Sequence, residues 1–325
     1  MRFACKMTLF LLAGALSCGV FAQVADVFPS RPVTLIIPYS AGGNTEIEAR
    51  IYMQKLADSL GKPVLVDFKP GAGTTVGTAY VAKAPPDGYT LLTISSAFVT
   101  VPAFYKDLSY DPLRDIAPVS LMSKRTTVLL VHPSMPFRNI PEFITYARAN
   151  PGAVNFATSG VGGATHLGGA QLALATNTEF TFVHYKGASQ MATDLVAGRV
   201  NATFNALSTS LPQVKAGKLR LLAISSIEPQ PMLQGVQTIA EQGVPGFDYY
   251  SFMGIVAPGG TPAPIINRLS GELQKIARMP EIAQRLASDG TIMVGSTPEA
   301  LRKFYTAEIS QVRNLVQKTG IQLQE

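Results

Sequence analysis

The chain has 325 residues, of which 47% are hydrophobic and 15% charged, and 27 Lys and Arg against 21 Asp and Glu give a formal charge of +6. That length suffices for two domains with a sizeable core in each. The basic residues are scattered, without a run or an aromatic–basic stripe, which argues against a nucleic-acid partner.

Arg2 and Lys6 precede an apolar stretch over 7–20, and Val20, Phe21 and Ala22 offer a small-residue cleavage site before Gln23. The stretch is too short to favour a permanent membrane span. An export signal over 1–22 is therefore expected, leaving 303 residues and, without Arg2 and Lys6, a charge of +4. The rival is a lipid anchor at Cys18, but Ala15 stands where such signals usually carry leucine. Cleavage after Ala22 removes Cys5 and Cys18, the only two cysteines, and with them cysteine catalysis, thiolate metal sites and iron–sulfur clusters.

Short β-branched runs then alternate with segments of helical period. A strand over 33–38 is followed by a helix over 46–60, which puts Ile47, Ile51 and Leu56 on one side and ends at Gly61. A strand over 64–69, a short helix over 75–84 closed by Pro85 and Pro86, and a strand over 90–94 ending at Ser95 and Ser96 come next. A second set has strands over 127–131, 154–157, 181–184, 201–204 and 219–224, with helices over 141–149, 165–176, 189–197 and 208–216. After a strand-like run over 249–256 come three helices, 262–278, 280–288 and 298–318. Thr261 reads as the cap of the first, with Pro262 opening it, and Ser296 with Glu299 as a capping box for the third. Repeated βα units predict an α/β fold with parallel sheets flanked by helices.

Three of the strand-to-helix loops are rich in Gly, Ser and Thr: 39–45, 70–77 and 158–166. A helix start presents unpaired N–H groups and the positive end of its dipole, and glycine lets a ligand approach the backbone. Such turns also need glycine for conformation alone. Strand-end loops of open parallel sheets are nevertheless where ligands bind, and the Gly42–Gly43 loop, Ser95–Ser96 and the 160–166 loop all have that place. A pocket for a small anion follows.

Other chemistries fit less well. No lysine followed by Ser or Thr closes a glycine run, and Thr165 stands where a dinucleotide motif needs its last glycine, so no nucleotide cofactor is expected. Ser159 with His166, His184 and Asp194 is a conceivable hydrolase set, but Ala157 and Val161 replace the glycines of a nucleophile elbow. His132, His166 and His184 lack metal-pair spacing, so no metal site is expected. Tyr249, Tyr250 and Phe252 read as interdomain core, with ligand stacking as the alternative.

At its loops the sequence resembles the Bug family, the periplasmic receptors of tripartite tricarboxylate transporters. The matching residues are Phe28 to Pro32, Ile36 to Tyr39 with Gly42 and Gly43, Pro70 to Gly73, Ala84 to Thr90, Tyr110 to Pro112 and Ala117 to Ser120. Further along they are Gly160, Gly162, Thr165 to Leu167, Tyr185 to Gly187, Leu211, Pro212, Lys215 to Arg220 and Ala257 to Pro262. The resemblance implies a type II periplasmic-binding-protein fold: two α/β domains joined by two crossovers near Arg125 and Tyr249, with the ligand cleft between them. Domain 1 would comprise 23–125 plus 250–325, and domain 2 would comprise 126–249. It further implies a monomeric receptor for a di- or tricarboxylate, acidic amino acid or aromatic acid, with no cofactor and with membrane transporter subunits as partners. A sensor for a two-component system would use the same fold.

The ligand-binding residues expected are Tyr39, Ser40, Gly42, Gly43, Asn44, Ser95, Ser96, Ser159, Gly160, Gly162, Gly163, Thr165, His166, Tyr185 and Asn205, with His166 more a cap of its loop than a contact. Several depart from the family pattern: Ser40 and Ala41 where prolines are common, Glu46 for aspartate, Asn205 for an acidic residue, and Ser95, Ser96 and Ala97 for a glycine/threonine pattern. These differences fall on the pocket and bear on which acid it takes.

Overall fold

The computed structural model describes residues 28–41, 44–105, 107–160, 163–185, 188–230, 233–287 and 290–320. The export signal, Gly42, Gly43, Val161, Gly162, Lys186, Gly187 and Ser288 lie outside them.

The chain begins with β1 (Val33–Ile37), α1 (Asn44–Leu60), β2 (Val64–Phe68), α2 (Thr75–Ala82), β3 (Thr90–Ile94) and α3 (Ser96–Phe104). The sixteen-residue strand β4 (Ile116–Val131) leads into α4 (Ile140–Ala149), β5 (Val154–Thr158), α5 (Ala164–Thr176), β6 (Phe180–His184) and α6 (Ala188–Val196). Next come β7 (Ala202–Ala206), α7 (Leu207–Lys215), β8 (Arg220–Ile224) and β9 (Tyr250–Pro258). The chain closes with α8 (Ala263–Ala277), α9 (Pro280–Ala287), β10 (Thr291–Met293) and α10 (Pro298–Thr319).

The strands run in the order β2-β1-β3-β9-β4-β7-β5-β6, with β8 and β10 also paired to β4. β1 pairs in parallel with β2 and β3, and β5 with β6 and β7, as βα repeats require. The junction, which the βα pattern does not describe, is antiparallel. There β9 runs antiparallel to β3 and to β4, and β4 antiparallel to β7, β8 and β10. The ladder between β4 and β9 extends from Ile116–Pro258 to Thr126–Tyr250, and from Thr127 onward β4 pairs with β7 instead. One continuous strand therefore serves two sheets.

Both faces of each sheet are covered. On the first, Leu35, Ile37 and Leu91 pack toward α1 and α8, while Ile36, Leu92 and Ile94 pack toward α3 and α10. On the second, Phe156 and Phe204 lie in one cluster with Phe143 and Phe180, while Val128 and Leu130 lie in another with Met191 and Leu207. This two-sided burial makes the strands near-continuous apolar runs.

Several local expectations fail for identifiable reasons. Residues 116–126, α3 and β10 were not predicted, because their pairing and packing are non-local. Of the expected face Ile51 and Leu56 are buried but Ile47 is 56% exposed; the buried stripe of α1 is Glu48, Ala49, Ile51, Tyr52, Met53, Leu56 and Leu60. Thr261 does not cap α8, because its Oγ1 donates to Pro258 O at 2.8 Å inside the preceding turn. Ser296 is drawn to β4, where its Oγ accepts from Leu121 N at 2.9 Å, so Thr297 caps α10 by accepting from Ala300 N at 3.2 Å.

Gly168 and Gly169 let α5 lie close on the second sheet. A Cβ at Gly168 would stand 2.6 Å from the Tyr249 ring, and one at Gly169 would stand 2.8 Å from Phe156 and Phe182. Gly168→Ala is expected to destabilise by about 1–3 kcal/mol through overpacking, outweighing the gain of about 1 kcal/mol in helix propensity. Urea unfolding checks this; a variant more stable than the parent would show that the helix has room.

Candidate functional site

A cavity of about 360 Å3 opens between the two sheets. From the first sheet's side Tyr39 and Thr45 line it after β1, Ser95, Ser96, Ala97 and Thr100 after β3, and Glu48 from α1. Gly163 and Ala164 line it from the second, while Ser123 and Arg125 on β4 and Ser251, Phe252 and Met253 on β9 form the part that both share. Strand pleating sorts β4 by side: Ser123 and Arg125 face the cavity, whereas the Lys124 ammonium lies 4.0 Å from the centre of the Tyr250 ring.

Three helix starts meet here. Thr45 lies in the first turn of α1, Ser95 and Ser96 are the N-cap and first residue of α3, and Gly163 and Ala164 hold the same places in α5. Their first N–H groups lack intrahelical partners, and the dipoles place partial positive charge at the same ends. Hydroxyls surround them, and Tyr39 Oη is hydrogen-bonded to Ser95 Oγ. Burial raises the Tyr39 pKa, so its phenol is neutral and can donate.

The start of α5 is held in place. Gly160 has φ +146°, a conformation that L side chains rarely adopt. Ser159 N donates to Thr165 Oγ1 at 2.8 Å, the two side chains are 3.1 Å apart, and the buried Tyr249 hydroxyl donates to Ala164 O.

Of the residues singled out in the sequence, Tyr39, Ser95, Ser96 and Gly163 line the cavity, while Asn44 opens α1. Ser40, Ser159, Gly160, Thr165, His166, Tyr185 and Asn205 are not among its lining residues, and Gly42, Gly43 and Gly162 are outside the described residues. Tyr185 donates to Asp194 Oδ2 at 2.9 Å, and Asn205 Oδ1 accepts from Ala206 N at 2.9 Å. His166 is buried against Phe182 and His184, with 4.7 Å between ring centres in each case. The 70–77 loop lies beside the first: a Cβ at Gly77 would stand 2.8 Å from both Lys69 O and Pro38.

Sequence reasoning named Thr45 only as the end of the 39–45 loop and missed Glu48, Thr100, Ser123, Arg125 and Ser251. The one signal available was Glu48, a carboxylate on the stripe that Tyr52 and Leu56 continue. Arg125 and Ser123 lie in a strand stretch that only non-local pairing reveals.

The conceivable hydrolase set does not assemble. Ser159 Oγ is engaged by Thr165, Asp194 by Tyr185 and Arg199, and His184 Nδ1 by Thr158 Oγ1 at 2.7 Å. Among the described residues no group of three His, Asp or Glu side chains comes together to hold a metal ion, and no helix is long and apolar enough to cross a membrane.

Residues 48–321 match the family model described as tripartite tricarboxylate transporter family receptor, TctC. The chain belongs to this family. BugT of Bordetella pertussis is 33% identical over 310 residues, covering 94% of this chain and 95% of its own. A solved R. palustris protein, Rpa4515 with adipate, is 32% identical with a TM-score of 0.77, covering 91% of this chain and all of that one. MatC from Rhodopseudomonas palustris with bound malate is 29% identical with a TM-score of 0.73, covering 89% and 100%. The resemblance to Bug receptors read from the loops is thus borne out, as is the periplasmic-binding-protein fold.

In this TctC-family chain His166 provides a pH test of the packing beneath α5. Burial, and secondarily the neighbouring His184, lower its pKa from 6.5 to about 4. The unfolded chain therefore binds the proton more readily, so this contribution is complete above about pH 6.5 and is lost as pH falls toward 4. Thermal unfolding between pH 7 and 4.5 should show Tm falling, with a shallower fall in His166→Gln. Parallel curves for the two proteins would refute that role.

Proposed function

We propose that this protein is a periplasmic receptor that captures a small carboxylate and delivers it to the membrane subunits of a tripartite tricarboxylate-type transporter. The observation that carries this reading is the meeting of three helix starts and a group of hydroxyls at one cavity between the two sheets. Oriented N–H groups and neutral hydroxyls replace the water that a carboxylate loses on entry. The adipate and malate held by the two solved relatives support the ligand class.

In this reading 23–125 with 250–325 forms one lobe and 126–249 the other, and a ligand that touches both favours their closed arrangement. Tyr39, Ser95, Ser96 and Gly163 contact the ligand, together with the backbone around Thr45 and Ala164. The 42–43 and 161–162 segments adjoin these residues in sequence. Ser159, Thr165, His166, Tyr185 and Asn205 act behind them by holding the loops. The protein performs no chemistry on what it binds and works as a monomer, exported by cleavage after Ala22.

A thermal-shift screen of organic acids against the mature protein tests the reading. A ligand at a hundred times its Kd should stabilise by about 2.7 kcal/mol, which raises Tm by a few degrees. Ser95→Ala should weaken binding of the best acid by about 1 kcal/mol with little change in the unliganded Tm. If neutral sugars or peptides shift Tm and no organic acid does, the carboxylate reading is wrong.

A further inference from the structure

The cavity contains an ion pair that the helix starts do not require. Glu48 and Arg125 meet across it, Nη2 to Oε2 at 2.8 Å, with side-chain exposures of 5% and 16%. Charges this deep are costly to desolvate unless their remaining hydrogen-bonding capacity is used.

The two partners differ in that respect. Glu48 is well supplied: Oε1 accepts from the Tyr52 hydroxyl at 2.6 Å and from the Ser123 hydroxyl, and Oε2 accepts from Arg125. Arg125 has five N–H donors. Nε donates to Thr291 Oγ1 at 3.1 Å and Nη2 donates once to Glu48. The two N–H groups of Nη1 and the second of Nη2 have no partner among the described residues, and the side chain lines the cavity. Glu48 and Thr291 thus hold the guanidinium from one side and leave donors toward the other. What the cavity lacks at that end is an acceptor, and an anionic one gains most from a guanidinium's parallel N–H groups.

On the carboxylate reading above, the helix starts engage one carboxylate; we propose that Arg125 binds a second, making this a receptor that selects dicarboxylates over monocarboxylates. Arg125 lies next to the end of the part of β4 that pairs with β9, two residues before that strand passes to the second sheet at Thr127. A diacid therefore bridges the helix starts and the strand that links the sheets.

Calorimetric titration of the mature protein with succinate, adipate and phthalate, each against butyrate, hexanoate or benzoate, tests the proposal. The wild-type protein should prefer at least one diacid over its matched monoacid by about tenfold or more. Arg125→Met should remove that preference and leave monoacid affinity within about twofold. Because Arg125→Met leaves Glu48 buried without its cation, the double variant E48Q/R125M, in which the charge is removed from both partners, is measured beside it. A wild-type protein without preference, or a preference that survives in the double variant, overturns the role of Arg125 while leaving the carboxylate receptor standing. Binding of neither class by the wild-type protein overturns both.

Discussion

The antiparallel ladder between β4 and β9 is the constraint on which the rest of the molecule depends. Its hydrogen bonds run from Ile116–Pro258 to Thr126–Tyr250, and the same strand enters the second sheet one residue later. Strand ends on both sheets are thereby referred to one rigid pair. The parallel strands β1, β3 and β5 each end toward the shared region, so the helices that follow begin around it. A cavity between two sheets then forms where three helix starts bring unpaired N–H groups together.

Electrostatics in that cavity has two parts. Helix starts and hydroxyls provide oriented partial charge without a buried ion, which suits an anion stripped of water. The Glu48–Arg125 pair adds full charges that nearly cancel at long range and differ in their hydrogen-bonding capacity at short range. Tyr52 shows the pair's influence on its surroundings: burial first, then the Glu48 charge, raise the pKa of its phenol and keep it a donor to Glu48. The site is arranged by dipoles and refined by one guanidinium.

Packing fixes these groups in place. Gly168 and Gly169 bring α5 against Tyr249, Phe204, Phe156 and Phe182, and Tyr249 reaches Ala164 at the first turn of the same helix. From the same stretch of α5, Leu167 and Ala170 pack with Val312 and Leu315 of α10, so a helix following the last strand of the chain touches one from the middle. Local changes in either helix are therefore felt at the cavity.

Elements whose signal is local were legible in the sequence: β3 agrees in both bounds, and α1, α5 and α10 are found within one or two residues at each end. Periodicity, capping residues and prolines act within one turn or one strand, so composition and spacing were enough for them, and for an anion pocket at strand-end loops. The long β4, the short β10, α3 and the antiparallel junction depend on partners far away in the chain, from 71 residues in Val131–Ala202 to 166 in Thr291–Arg125. The cavity's charged pair belongs with these. Glu48 and Arg125 are 77 positions apart, and nothing local marks a strand arginine as facing inward. The sequence alone determined the alternating α/β units, the glycine-rich helix starts and the family. Tertiary structure alone decided which of those starts share a cavity and which charges stand beside them, because side-chain burial and pairing across sheets are set by long-range register.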